Sequence, residues 1–125
     1  MKPVTLHDGR VVDDYSEDFR HECEAISILK MPTSVREGFI QKVGAKRGDL
    51  EAQRLRNTVQ KIWIDRTARE IIELQRTDFL ESERRLVRIA RNGTLGQRYR
   101  AGIEKRMQEI ISTTIPSSEK TERAA

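Results

Sequence analysis

Residues 49–92, DLEAQRLRNTVQKIWIDRTAREIIELQRTDFLESERRLVRIARN, contain neither Pro nor Gly. A run rich in Arg, Glu, Leu and Ile favours helix, since these side chains lose little freedom there and nothing interrupts the hydrogen-bond ladder. Its second half keeps a 4–3 spacing, Ala68, Ile72, Gln75, Phe79, Ser82, Leu86, Ile89, which places one seam on one face with Arg and Glu on the rest. Gln75 and Ser82 make that seam weaker than a zipper's. The first half has a seam of its own, Ala52, Leu55, Val59, Ile62. The two seams are out of phase, because Arg66 and Arg69 occupy the positions that would continue the first. Either the helix rotates its apolar face near Asp65, or the chain breaks there or at Thr77-Asp78. Asp78 and Glu81 have the spacing of a capping box, which favours a break near Thr77.

Upstream, Val4-Thr5-Leu6 and Arg10-Val11-Val12 flank His7-Asp8-Gly9. Asp-Gly between short β-prone runs predicts a hairpin over 1–14 with a tight primed turn. So short a hairpin is marginal in water and is expected to lean on the helices rather than recruit another chain. Ser16 is expected to cap a helix over 16–30, with Phe19, Cys23, Ile26 and Leu29 as its buried stripe and Met31-Pro32 as its stop. Ser34 and Glu37 predict a capping box for a short helix over 35–43, with Gly44 as its C-terminal stop. Lys46-Arg47-Gly48-Asp49 is a basic turn into the long segment. Downstream, Asn92-Gly93 ends that segment and Thr94 with Gln97 opens a last helix over 95–111. Its apolar face is Leu95, Tyr99, Ile103, Met107 and Ile110, with Gly96 and Gly102 either weakening it or allowing close packing. Residues 112–125 turn to Ser, Thr, Glu and Lys around Pro116 and predict a flexible tail.

These elements define an all-α protein of four to five helices around a long central helical segment, with a small N-terminal β-hairpin. At 125 residues one domain over 1–111 is expected. Charged residues make up 35% of the chain and aromatic residues 5%, a balance that suits a surface-rich helical protein better than a thick core. The net charge of +4 is uneven. Residues 1–32 carry four basic and seven acidic side chains, hence −3, while 33–76 carry ten and six, hence +4, and 77–112 eight and five, hence +3. Such a chain could meet nucleic acid, an acidic protein surface or another copy of itself.

A single cysteine excludes an internal disulfide. No signal-peptide pattern and no apolar run of about 20 residues appears, so no membrane contact is expected and use in a cytoplasm is. His21-Glu22-Cys23-Glu24 contains ligand types, but residues 21 and 23 project in different directions on a helix and no second cysteine exists. No metal and no cofactor is therefore expected. Without an exposed Cys–His pair, a phosphate-cradling glycine loop or a Walker motif, the chain reads as not an enzyme.

Two features remain. Ile62, Trp63 and Ile64 are three large apolar residues in succession, covering nearly the full circumference of a helix. They are the candidate partner-binding residues, tryptophan being favoured at interfaces for its large buried area. The alternative is a helix sandwiched between two others. Arg84, Arg85, Arg88 and Arg91, then Arg98 and Arg100, straddle the Asn92-Gly93 turn and are the candidate nucleic-acid contacts. Glu81, Glu83, Glu104 and Glu109 stand among them and blunt the field.

The stretch from Asp8 through Gly48, continuing to about Arg56, resembles a family of small uncharacterised proteins of tailed bacteriophages and prophages of proteobacteria. The residues that carry the likeness are Asp8-Gly9, Ser16, Arg20-His21-Glu22-Cys23-Glu24-Ala25, Met31-Pro32, Arg36 and Lys46-Arg47-Gly48. Phe19 and Phe39 depart mildly from its aromatic pattern. The resemblance implies a setting, a phage product in the host cytoplasm or the virion, and no activity. The function expected is protein–protein interaction by an accessory protein, foremost a structural or assembly component of the virion. The partners would be phage structural or host proteins, or a second copy. A stoichiometric inhibitor of a host defence complex and a basic nucleic-acid-binding protein are the alternatives.

Overall fold

The computed structural model describes residues 2–114, with the side chain of Thr114 left aside. In chain order the elements are β1 (Pro3–Thr5), β2 (Val11–Asp13), α1 (Glu17–Leu29), α2 (Thr33–Arg47), α3 (Asp49–Thr77), α4 (Phe79–Ala90) and α5 (Gly93–Thr114). The protein is all-α but for the two-stranded hairpin. Two compact units make it up, Met1–Trp63 and Ile64–Ala125. The division falls inside α3, within the segment expected to be the spine of one domain. The tail expected over 112–125 is helical as far as Thr114 and from there lies outside the described residues.

In the first unit β1 and β2 pair antiparallel, with Val4 opposite Val12. The turn differs from the primed type expected. Gly9 alone has positive φ, at 91°, and its N–H donates to the Leu6 carbonyl at 2.9 Å while the Leu6 N–H donates to Arg10 at 2.8 Å. His7-Asp8-Gly9 is thus a three-residue loop with glycine in the left-handed position, which spares Asp8 that conformation.

Ser16 caps α1, its hydroxyl accepting the Phe19 N–H at 3.1 Å, with Glu17 and Asp18 at the positive end of the helix dipole. The buried face is Glu22, Ala25 and Ile28, displaced from the stripe expected. Cys23 is exposed, and Phe19, Ile26 and Leu29 are half-buried. A carboxylate at a buried position hides such a face from any apolar count. Arg36 of α2 closes the end of α1, donating to the carbonyl of Leu29, its last residue, at 2.9 Å and to that of Met31 beyond it at 3.0 Å.

The Ser34–Glu37 box does not form. Pro32 is the N-cap of α2, with φ −56° and no side-chain cap, so Ser34 lies within the first turn. Glu37 instead binds Arg56 of α3. Gly44 is not the stop either: α2 runs on to Arg47 and ends at Gly48, φ 99°. What Gly44 supplies is room, since a Cβ there would lie 3.2 Å from that of Ala52. The core of this unit is Ala25, Ile28, Ile40, Val43, Ala52, Leu55, Val59 and Ile62, with Ile26, Leu29 and Phe39 packed against it. The first seam of the long segment is entirely inside it.

In the second unit α3 continues unbroken through Asp65 and ends at Thr77. Thr67, Ala68 and Ile71 are its buried positions there, while Arg66 and Arg69 stay exposed. Asp78 caps α4 by accepting the Glu81 N–H at 3.1 Å. That interruption changes the seam. Ala68, Ser82 and Leu86 are buried as expected, but Phe79, the first residue of α4, is exposed, because the 4–3 register does not carry through a non-helical residue. Ile103, Met107 and Ile110 bury the face of α5, whereas Leu95 near its start is exposed. Gly96 brings α5 against the end of α4: an added Cβ would collide with the Ile89 carbonyl oxygen and stand 2.9 Å from Asn92 Cβ. Gly102 lies under Ile64, whose Cδ1 would be 3.3 Å from a Cβ. A half-buried ion pair, Arg106 Nε to Asp65 Oδ1 at 2.6 Å, ties α5 to α3. This hydrogen bond raises the Arg106 pKa above its ordinary value.

Candidate protein-interaction surface

The first unit carries a polar cleft of about 450 Å³ between the hairpin loop, α1 and α3. Both histidines reach it. The Glu22 carboxylate, in a residue only 7% exposed, accepts the His7 backbone N–H at 2.6 Å, and His7 Nδ1 lies 2.5 Å from the same oxygen. A carboxylate only accepts, so His7 Nδ1 is the donor to it. His21 Nε2 lies 2.7 Å from Thr58 Oγ1, and that hydroxyl donates to the Arg54 carbonyl at 3.0 Å, which makes His21 the donor to it. Burial lowers the His21 pKa first, Arg54 second, with Glu51, Glu24 and Asp18 opposing. Arg10 and Arg54 both reach Asp18, at 3.3 and 3.6 Å. These groups fasten the hairpin to α1 and α1 to α3. Among the described residues no group of three or more His, Cys, Asp and Glu is arranged to hold a metal ion.

The three large apolar residues at the middle of α3 have separate fates. Ile62 is 2% exposed and belongs to the core of the first unit, which corrects the partner-facing role expected for it. Trp63 and Ile64 are half-buried.

The arginines are mostly paired. Arg88 meets Glu81 at 2.5 Å, Arg84 meets the same residue at 3.7 Å, Arg85 meets Glu70 at 2.6 Å and Arg100 meets Glu104 at 2.8 Å. Arg91 and Arg98 are exposed and make no ion pair among the described residues. A phosphate-binding array needs cations in excess, and here carboxylates hold Arg85, Arg88 and Arg100 closely and Arg84 loosely.

What the sequence reading passed over is the outer face of α4. Leu80 is 66% exposed and Val87 39%, with Arg84 between them and Arg91 beyond. They border a shallow groove of about 520 Å³ shared with Glu81, Glu83 and Arg88. The signal was available: Leu80, Arg84, Val87 and Arg91 recur at steps of 4, 3 and 4, a second stripe on the side away from the seam that buries Ser82 and Leu86. Isolated exposed apolar side chains are ordinary, whereas two in line with arginines form a surface.

No helix among the described residues is long and apolar enough to cross a membrane. No curated protein and no solved structure matches the chain. Residues 12–66, which overlap most of the stretch that carries the resemblance noted above, match DUF7696, a family of unknown function.

Proposed function

We propose that this is a phage-encoded accessory protein that acts without catalysis, by binding another protein through the outer face of α4. The observation that carries the reading is the exposed Leu80–Val87 stripe bordered by arginines on a short, well-capped helix. A rigid helix face with two apolar anchors and a charged rim is a common mode of protein recognition. The engagement of His7 and His21 in bonds that hold the first unit together supports a non-catalytic role for the cleft. The likeness of residues 8–56 to phage and prophage proteins supports the setting, and within it a structural or assembly component of the virion is the leading form.

Mass spectrometry of purified particles, beside capture of the tagged chain from infected cells, tests this. A virion component is found in the particle, and Leu80→Asp removes it. Presence only in a stoichiometric host complex, lost on the same substitution, assigns the inhibitor role instead. Capture that is unchanged by Leu80→Asp ends the reading.

A second reading is nucleic-acid binding at the α4–α5 turn, favoured by Arg91 and Arg98. It requires affinity that falls steeply with salt, by a log–log slope of about 0.9 per phosphate contacted, and that survives Leu80→Asp.

A further inference from the structure

We infer that the partner segment seated on α4 is an acidic amphipathic helix, presenting two apolar side chains seven residues apart with carboxylates between and beyond them. This rests on the protein-binding reading above and names the chemistry of the partner.

At 3.6 residues per turn, Leu80, Arg84, Val87 and Arg91 fall within an arc of about 60° on the side of α4 away from Ser82 and Leu86. Leu80 and Val87 stand ~10.5 Å apart along the axis, the spacing that residues i and i+7 of a second helix reproduce. The charge in line with these anchors is positive. Glu81 is held by Arg88 at 2.5 Å, so Arg84, 3.7 Å from the same carboxylate, is only loosely paired, and Arg91 makes no ion pair among the described residues. A guanidinium beside an apolar anchor selects a carboxylate on the facing helix and penalises a cation there. A second copy of this chain fits less well. The two-fold antiparallel pairing that sets Leu80 against the other copy's Val87 puts the axis between Glu83 and Arg84 and the two Arg84 side chains on the same face of the helix pair, a like-charge contact. A nucleic-acid backbone would leave Leu80 and Val87 facing phosphates.

The test uses the full chain and two fluorescein-labelled synthetic helical peptides. One carries Leu at i and i+7 with Glu at i+3, i+4 and i+11, and the other has Lys at those three positions. In fluorescence anisotropy the acidic peptide is expected to bind at least about tenfold more tightly than the Lys peptide. Leu80→Asp should remove that binding, and Arg84→Glu should reverse the preference. Both positions are exposed, and an unchanged thermal melt establishes that each variant is folded. Equal binding of the two peptides, no binding of the acidic one, or a preference that Arg84→Glu leaves unaltered overturns the inference. Protein capture from cells that still depends on Leu80 would then leave the broader reading standing. A self-associated species in sedimentation, dissociated by Leu80→Asp, overturns the inference in favour of a second copy.

Discussion

One carboxylate oxygen of Glu22 holds His7 twice, taking its backbone N–H at 2.6 Å and facing its ring Nδ1 at 2.5 Å. This contact, with Leu6 buried beside it, joins a hairpin of two three-residue strands to α1. An acceptor lost at a buried site leaves its donors unsatisfied. Glu22→Ala should therefore cost about 1–3 kcal/mol in denaturant unfolding. It should also accelerate hydrogen exchange at the His7 amide before it affects the core helices. Unchanged exchange at His7 would show that the hairpin is held by other means.

Two glycine-to-alanine substitutions should have opposite signs. Gly96→Ala places a Cβ on the Ile89 carbonyl oxygen, a backbone atom that cannot swing aside, and should destabilise by about 1–3 kcal/mol. Gly38→Ala meets nothing within 4 Å on the exposed side of α2 and should stabilise by about 0.5–1 kcal/mol through helix propensity. Thermal melts of the two variants against the parent decide the matter, and a shift in the same direction for both would refute the close approach at Gly96.

Leu55 is fully buried and Leu50, one and a half turns earlier on α3, is 89% exposed. Leu55→Ala should cost about 2–5 kcal/mol, whereas Leu50→Ala should stay within about 0.5 kcal/mol. Urea midpoints give both numbers, and similar losses at the two sites would contradict the assignment of the first-unit core.

His21 predicts a pH dependence. Burial and Arg54 lower its pKa below the ordinary 6.5, against the pull of Glu51, Glu24 and Asp18. The unfolded chain then binds the proton more readily than the folded one, so stability falls as pH drops through 6.5 toward the folded value. Above the unfolded pKa the contribution is fully present. Urea unfolding between about pH 5 and 8 should show this slope in the parent and a flatter profile in His21→Gln. The same slope in both would assign the dependence to other groups.

Much of the architecture is readable from local signals. The Asp-Gly hairpin, the Ser16 cap, the break at Asp78 with its bond to Glu81, and the Asn92-Gly93 turn depend on residues within a few positions of one another. Helix faces are less readable wherever a polar side chain is buried. Glu22 and Ser82 sit inside because distant or backbone groups satisfy them; Ser82 kept its place on the seam, whereas Glu22 shifted the apparent stripe of α1. At the candidate site, the sequence showed the arginines with Glu81 and Glu104 among them, but not that Arg85 of α4 reaches Glu70 of α3.

By itself the sequence determined the helical class, the order of the elements and those ends that a local cap or turn marks, at Ser16, Asp78 and Asn92-Gly93, since propensity, capping and glycine act over one or two turns. Only tertiary structure decided that Ile62 is core, that Cys23 faces solvent and that Leu80 with Val87 remains uncovered. Burial depends on which surfaces a helix finds to pack against, and that is a property of the assembled chain.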